Sequence, residues 1–184
     1  MRRVSIIGGW AIRGIAFVFL GKRGNTQSGE ILSGTATILD GDTIIVAGER
    51  IRLHGIDAPE LDQTFWWRGQ QVACGMMARA ALEALTAGVK VRCEGIERDQ
   101  YGRLVAKCFS PNGVDIGRRL VLSGWAIAYR QYSRDYVDAE IKARKARRGL
   151  WQGRFEKPWE WRASMQSKSS VVRKNWFERS ISDS

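Results

Sequence analysis

Four carboxylates, Asp40, Asp42, Asp57 and Glu60, fall at turns and at the ends of expected strands. Each one alone is more simply a turn residue, because Asp is common before Gly in turns and shortly before Pro in loops. Together they are less ordinary, since Asp42 and Asp57 come at matching ends of strands that we expect to be neighbours. Two carboxylates brought together in a basic protein repel each other unless a cation lies between them. Oxygen ligands without His or Cys select a hard ion such as Ca²⁺, so this pair predicts a hard-cation site.

Two arginines are expected beside that site. Arg52 lies on the strand that leads into Asp57, and Arg103 follows a turn at residues 99–102. A guanidinium group matches two phosphate oxygens at once, which an ammonium group does not. A hard metal, two arginines and one spare carboxylate are the groups that phosphodiester hydrolysis needs.

Short strands and helices must bring these residues together. Alternating β-branched segments and the turns between them predict five strands, over residues 33–39, 43–47, 49–56, 89–93 and 103–109. Helical spacing of apolar residues, followed by glycine stops, predicts about three helices, over residues 70–87, 114–122 and 136–148. Short strands with helices inserted and appended indicate an α+β fold built on a small barrel, rather than repeated βαβ units.

The composition agrees with one globular domain that meets a polyanion. The 184 residues are 44% hydrophobic and 27% charged, which excludes disorder of the whole chain. The net charge of +11 attracts nucleic acid or an anionic membrane surface. One histidine and three cysteines nearly exclude zinc-finger and His-rich metal sites, which need four clustered nitrogen or sulfur ligands.

The two ends of the chain differ from the domain between them. Residues 1–28 form a basic and apolar leader, in which an apolar run at residues 4–20 follows Arg2 and Arg3, as in a secretion signal or a membrane tether. Arg13 interrupts the run and no A-x-A cleavage site follows, so a disordered or mis-started leader is an equal alternative. We assign residues 29–162 to the domain and the Ser-rich residues 163–184 to a flexible tail. The aromatic-rich residues 149–162 are expected to wrap the core.

Three motifs, in this order, resemble the staphylococcal (thermo)nuclease family. They are Asp-Gly-Asp-Thr at residues 40–43, Arg-Leu at 52–53 leading to Asp-Ala-Pro-Glu at 57–60, and Asp-Gln-Tyr-Gly-Arg at 99–103. Three separated motifs are far more specific than one, and the resemblance extends over about residues 33–162. It implies an OB-type five-stranded β-barrel with three helices. It also implies a calcium-dependent nuclease that hydrolyses the phosphodiester bonds of DNA and RNA with little sequence preference and leaves 3′-phosphate ends.

The resemblance implies a calcium site with four contributors. Asp42 and Asp57 would be the side-chain ligands of Ca²⁺, and the backbone carbonyl of Ala58 would be a further ligand. Asp40 would not bind the metal directly but would hold its ligands in position. The family often has Thr where Ala58 stands. A backbone ligand tolerates this difference, although a hydroxyl contact is lost.

The resemblance also implies the residues that act on the substrate. Glu60 would accept a proton from the attacking water or orient it. Arg52 and Arg103 would clamp the scissile phosphate and stabilise the charge of the five-coordinate transition state. Tyr101 and Tyr129 would contact a terminal phosphate and a base, with plain packing an equal alternative for Tyr129. We expect a monomer without a stable protein partner, acting on DNA and RNA with a preference for single strands.

Two other functions fit parts of the sequence. OB-type barrels often bind oligonucleotides or oligosaccharides without cutting them, so a non-catalytic binding module is the main alternative. An accessory role in exopolysaccharide (succinoglycan) biosynthesis is a further context, although no residue here specifically recognises a sugar. A secretion signal at residues 4–20 would place the protein in the periplasm or outside the cell, and a tether would hold it at the membrane.

The cysteines allow one disulfide. Cys93 and Cys108 would face each other across a hairpin centred on residues 100–101, either as a disulfide, which an oxidising compartment would favour, or as two buried thiols. Cys74 is left over as an expected buried thiol, and His54 is most simply a residue on a strand face.

Overall fold

The structure, a computed structural model, describes the backbone of residues 29–182 and the side chains of residues 29–170 and 173. The described residues form ten strands, four helices and one short 3₁₀ helix. The strands are β1 (Ile31–Thr35), β2 (Thr37–Ile38), β3 (Thr43–Val46), β4 (Glu49–Leu53), β5 (Ile56–Asp57), β6 (Thr64–Trp67), β7 (Gln70–Ala73), β8 (Lys90–Arg98), β9 (Leu104–Phe109) and β10 (Ile127–Ala128). The helices are α1 (Cys74–Thr86), α2 (Ile116–Ser123), α3 (Val137–Lys145) and α4 (Pro158–Ser182), and the 3₁₀ helix covers Gly149–Gln152.

Six strands make one sheet in the order β1-β8-β9-β4-β3-β2. The predicted strand at residues 33–39 is divided at Ala36 into β1 and β2, which pair with β8 and β3 and so form the two edges of this sheet. Because consecutive segments hold both edges, the sheet curls into a half-barrel. The α+β class and the OB-like architecture are confirmed, with more strands and one more helix than the sequence predicts.

A single large apolar cluster joins the sheet to the helices. Ile44, Ile51 and Leu104 come from the sheet, and they belong to the same buried cluster as Leu82 of α1 and Leu120 of α2. Each of these side chains is at most 1% exposed. Burying an aliphatic side chain of this size stabilises the fold by roughly 1.5–3 kcal/mol, so this cluster holds the strands that carry the candidate site.

The helix predicted over residues 70–87 begins later, at Cys74. Residues 70–73 form β7, which pairs with β6 in a hairpin whose two-residue loop is Arg68-Gly69. The predicted helix is wrong across β7, because Val72, the residue there that fits the helical spacing, also suits a strand. The correction matters because this hairpin stands between Glu60 and α1.

Residues 149–159 pack as expected, and the described chain is helical from Pro158 onwards. Trp151, Phe155 and Trp159 pack against a second apolar cluster that contains Phe65 and Leu150, which confirms that residues in the 149–162 segment cover the core. The predicted tail at residues 163–184 is helical as far as Ser182, because α4 begins at Pro158, a residue well suited to the first turn of a helix, and continues without a break. Its flexibility stays a prediction.

Cys93 and Cys108 are partners in the β8–β9 register and form a disulfide with an S–S distance of 2.01 Å. The disulfide alternative is therefore the one found, and Cys74 is a buried free thiol, as expected. Burial raises the pKa of the Cys74 thiol to about 11, so it is not a reactive nucleophile at neutral pH.

The predicted leader at residues 1–28, with its secretion signal or tether at residues 4–20, lies outside the described residues. No helix within residues 29–182 has the length and apolar character needed to cross a membrane.

Candidate active site

The loop at residues 40–42 is pressed against helix α1. A Cβ atom on Gly41 would lie 2.6 Å from the Cβ of Ala58 and 2.8 Å from the Cβ of Ala78, so only glycine allows this approach. The backbone N–H of Asp42 donates to Asp40 Oδ1 over 3.0 Å, which fixes the turn. Burial and the neighbouring charge of Asp42 raise the pKa of Asp40. Asp40 thus orders the backbone that presents Asp42, and its supporting role beside a metal stays a prediction.

Asp42 is only 5% exposed and accepts three hydrogen bonds. The donors are Thr43 Oγ1 at 3.0 Å, Arg52 Nη1 at 2.9 Å and the backbone N–H of Ala58 at 3.2 Å. The backbone N–H of Ala58 therefore lies beside this carboxylate, and the role of the Ala58 carbonyl as a metal ligand stays a prediction.

Arg52 joins the two predicted ligands of the cation. It stands opposite Thr43 in the β3–β4 register, so its side chain starts next to Asp42. Its Nη2 donates to Asp57 Oδ1 over 2.8 Å while its Nη1 binds Asp42, and the side chain is 19% exposed. The planar guanidinium group of Arg52 thus bridges two carboxylates, and part of the side chain remains exposed to solvent.

Asp57 is fully buried at the end of β5. Burial and the negative charge of Asp42 raise the pKa of Asp57, while Arg162 and Arg52 oppose that rise. A buried carboxylate beside another carboxylate needs cationic partners, and its oxygen atoms suit a hard metal ion. The donor chemistry of Asp42 and Asp57 therefore fits Ca²⁺.

Arg162, from helix α4, is the residue that sequence analysis missed. Its Nη2 donates to Asp57 Oδ2 over 2.9 Å, and its Nη1 donates to Glu60 Oε1 over 2.7 Å and to Asp57 Oδ1 over 3.2 Å. Its side chain is 35% exposed. The one signal in the sequence is the aromatic-rich segment that it ends, which we interpreted as core packing only.

The backbone of Glu60 is held in place by neighbouring residues. Its N–H donates to the Oε1 atom of the buried Gln63 over 3.2 Å, and Gln63 Nε2 donates to the carbonyl of Glu156 over 2.7 Å. A Cβ atom on Gly75 would lie 1.7 Å from the carbonyl oxygen of Glu60, so α1 begins directly against this residue. Its own carboxylate is 39% exposed and can meet solvent.

Arg103 and Tyr101 lie at the turn before β9 rather than against the carboxylates. The Nε of Arg103 donates to Asp99 Oδ2 over 2.7 Å, and its guanidinium lies 5.5 Å from the centre of the Tyr101 ring. Strand β9 runs parallel to β4, with Val105 opposite Arg52, so Arg103 directly precedes the strand next to the one that carries Arg52. Tyr101 is 75% exposed, which leaves its ring open to a ligand.

Tyr129 has two aromatic neighbours. Its ring stacks on Trp159 with the ring centres 5.1 Å apart, and it meets Tyr132 at 4.8 Å. Burial and the negative charge of Asp57 raise the pKa of Tyr129. The Tyr129 ring thus packs against two aromatic side chains, and its contact with substrate stays a prediction.

The structure brings together Asp42, Arg52, Asp57, Glu60 and the unexpected Arg162. Within residues 29–170, no group of three or more His, Cys, Asp or Glu side chains is arranged to hold a metal ion. The guanidinium groups of Arg52 and Arg162, rather than a third carboxylate, complete the surroundings of Asp57.

The sequence matches one known protein family. The family model described as "Staphylococcal nuclease homologue" matches residues 50–153, which is more than half of the chain. The chain belongs to the staphylococcal nuclease family. The match contains Arg52, Asp57, Glu60 and Arg103, while Asp42 precedes it and Arg162 follows it.

Three relatives show the range of proteins that this nuclease homologue resembles. It is 39% identical over 134 residues to the succinoglycan biosynthesis protein ExoI of Rhizobium meliloti (strain 1021), covering 69% of this chain and 68% of that protein. It is 36% identical over 132 residues to an uncharacterized endonuclease of Escherichia coli O157:H7, covering 68% and 80%. It is 34% identical over 147 residues to the micrococcal nuclease of Shigella flexneri, covering 71% and 79%. The family and the relatives named as nucleases support hydrolysis of nucleic acid.

Proposed function

We propose that this protein is a calcium-dependent nuclease that cuts DNA and RNA with little sequence preference and leaves 3′-phosphate ends. The observation that supports it most is the contact of Arg52 with both Asp42 and Asp57, with Glu60 joined to the same cluster through Arg162. Asp42, Asp57 and the carbonyl of Ala58 would hold the ion. When bound, Ca²⁺ would supply Lewis-acid stabilisation of charge on the phosphate.

The residues divide the hydrolysis between them. Glu60 accepts a proton as the water oxygen forms its bond to phosphorus, and the bond from phosphorus to the 5′ oxygen breaks. The leaving 5′ oxygen takes a proton from solvent, which leaves the phosphate on the 3′ side. Arg52 and Arg103 bind the phosphate oxygens, whose charge grows in the five-coordinate transition state.

The charge and the exposed aromatic groups support a single-stranded substrate. A net charge of +11 attracts the phosphate backbone, and the open ring of Tyr101 can contact an unpaired base. We expect the protein to work as a monomer on DNA or RNA.

Calcium removal is the direct test of this function. We expect the purified protein to degrade heat-denatured DNA and RNA in Ca²⁺, to stop when a chelator is added, and to recover when Ca²⁺ is returned in excess. The Asp42→Ala variant serves as the site control and should stay inactive throughout. Full activity in the chelator, or in Asp42→Ala, would contradict the proposal, as would products that lack a 3′-phosphate removable by phosphatase.

Arg162 should compete with Ca²⁺ for the buried carboxylates. We expect Arg162→Gln to bind Ca²⁺ more tightly, on the order of tenfold, because a cation no longer lies between Asp57 and Glu60. Isothermal titration calorimetry measures the Kd. In the absence of Ca²⁺ the variant should melt at a lower temperature, since the buried Asp57 loses a partner.

The control for this prediction is Arg173→Gln, which removes the same charge from an exposed position on the same helix. It should leave the Kd for Ca²⁺ within about twofold, because exposed charges at a distance are screened by salt. Weaker binding of Ca²⁺ by Arg162→Gln would show that Arg162 supports the site instead of competing for it.

Export is also proposed. The Cys93–Cys108 disulfide supports an oxidising compartment, either the periplasm or the outside of the cell, or a site tethered at the membrane. N-terminal sequencing of the mature protein tests this, since a chain that still begins at Met1 would exclude a cleaved signal.

The likeness to a protein named for succinoglycan biosynthesis favours a second candidate, an accessory role in exopolysaccharide production. A normal exopolysaccharide yield in cells that carry the inactive Asp42→Ala variant in place of the unaltered protein would separate that role from nuclease activity, whereas a changed yield would link the two.

A further inference from the structure

We propose that a cleft beside the β6–β7 hairpin binds a nucleotide of a single-stranded nucleic acid at a distance from the bond that is cut. The cleft has a volume of about 430 Å³, and its walls include Trp66, Arg68, Arg147, Trp151 and Arg154. It lies outside the cluster of carboxylates described above. The proposal rests on the proposed function for the identity of the ligand.

Three cations converge on this cleft from three parts of the chain. Arg68 is in the hairpin loop, Arg147 follows α3, and Arg154 follows the 3₁₀ helix. All three are exposed, and none of them forms an ion pair in the part of the chain that the structure describes. No acidic side chain lines the cleft among those described residues. The guanidinium of Arg68 lies 4.8 Å from the centre of the Trp67 ring. Guanidinium groups without carboxylate partners can still bind phosphate.

Two of these arginines have an unfavourable backbone conformation. Arg68 has a φ of 51° and Arg147 a φ of 49°, in the left-handed region that long side chains rarely adopt. The Arg68-Gly69 loop, with both φ values positive, is the kind of tight turn that favours Asn or Asp before Gly. An arginine there costs stability relative to Asn or Asp.

Aromatic groups supply a surface for a base. Trp66 is 47% exposed, whereas its neighbour Phe65 is buried, so the indole of Trp66 points away from the core. Trp66 and Arg154 are paired by two backbone hydrogen bonds of 2.8 Å, which places their side chains on the same face. The Nε1 of Trp151 is buried and has no hydrogen-bond acceptor from the described residues, and Trp151 also lines the cleft. Stacking on an exposed indole is sequence-tolerant, as a nuclease of broad preference needs.

The pairing of Trp66 with Arg154 makes the cleft a rigid feature. A Cβ atom on Gly153 would lie 2.1 Å from the carbonyl oxygen of Trp66, so the hairpin and the segment after the 3₁₀ helix are in direct backbone contact. The backbone from Glu60 to Trp66 spans at most about 22 Å. A few nucleotides cover that distance, so one strand can occupy the candidate active site and the cleft together.

The test compares two triple variants in binding of a fluorescein-labelled 12-nucleotide DNA, measured by anisotropy in a chelator so that no cutting occurs. Arg68→Gln with Arg147→Gln and Arg154→Gln removes the cations of the cleft. Lys90→Gln with Arg119→Gln and Arg134→Gln removes the same charge from exposed positions elsewhere. We expect the cleft variant to raise the Kd at least tenfold and to reduce the slope of log Kd against log salt by about 2. The control should raise the Kd less than threefold.

Two variants of Trp66 test the contact with a base separately. Trp66→Ala should raise the Kd about fivefold or more, and Trp66→Phe should restore most of the affinity because it keeps a stacking surface. Equal losses in the two triple variants, or an unchanged Kd in Trp66→Ala, would overturn the cleft as a nucleotide site. The proposal would also be overturned if inorganic polyphosphate displaced the labelled DNA equally well from Trp66→Ala and from the unaltered protein. The cleft would then bind anions in general and make no contact with a base.

Cleavage of a dinucleotide substrate in Ca²⁺ separates the two proposals. Because the cleft is proposed to bind a nucleotide away from the bond that is cut, the cleft variants should cut a dinucleotide at the normal rate. Normal cutting with unchanged 12-nucleotide binding would overturn the cleft alone. Weakened binding in the cleft variants of a protein that cuts nothing would uphold the cleft and contradict the proposed catalysis.

Discussion

Replacing Arg52 with alanine should lower kcat/KM for denatured DNA by roughly 10²–10³-fold, which corresponds to a loss of about 3–4 kcal/mol of transition-state stabilisation. Arg52 is the guanidinium that the structure places on both Asp42 and Asp57, with part of its side chain open to solvent. Arg52→Lys should recover little activity, because an ammonium group has no fork to bind two oxygens. Initial rates in saturating Ca²⁺ measure both variants.

The variant will also be less stable, so the assay must separate folding from catalysis. Removing one partner of a buried ion pair costs roughly 3–5 kcal/mol, and Asp42 and Asp57 share Arg52. Rates should therefore be measured well below the melting temperature of each variant. Arg50→Ala is the matched control, two residues earlier on the same strand and exposed, and it should keep nearly full activity. A kcat/KM within threefold of the unaltered enzyme for Arg52→Ala would rule out its role on the phosphate.

Replacing Glu60 with glutamine should lower kcat by roughly 10²–10⁴-fold, because an amide cannot accept the proton of the attacking water. The side chain keeps its size, and its backbone stays held by Gln63 and by the close approach of Gly75. The folded structure should therefore persist, and circular dichroism and thermal melting check that it does.

The position of Glu60 beside Asp57, through Arg162, makes its effect on Ca²⁺ binding a necessary control. Calorimetry should give a Kd for Ca²⁺ in Glu60→Gln close to the normal one if the residue acts on water. Glu160→Gln removes an exposed carboxylate from α4 and should leave both Kd and kcat unchanged. If the loss of activity in Glu60→Gln is reversed by raising Ca²⁺, then the residue binds the ion and is not the proton acceptor.

The residues that sequence analysis found are those whose position depends on short segments. Asp40 and Asp42 belong to one tight turn, and Arg52 stands opposite Thr43 because β3 and β4 are joined by a short turn. Turn chemistry and the alternation of strands determine such contacts within a few residues. Asp57 follows β4 after a brief bend, so its closeness to Arg52 also follows from local geometry.

The residues that sequence analysis missed depend on segments far apart in the chain. Arg162 reaches Glu60 across a separation of 102 residues, and no local pattern shows where α4 turns back. The β6–β7 hairpin was missed because the helical spacing of α1 continues into β7, and the pairing with β6 outweighs it.

The sequence by itself determined the chemistry that this protein carries: the acidic residues and arginines of its three motifs, its positive charge and its family. Only the tertiary structure decided that Arg162 lies between Asp57 and Glu60, and that Arg68, Arg147 and Arg154 meet at one cleft. The reason is that backbone preferences and side-chain periodicity act over a few residues. Contacts between distant segments are instead selected by the packing of the aromatic cluster that joins the hairpin to the C-terminal segment.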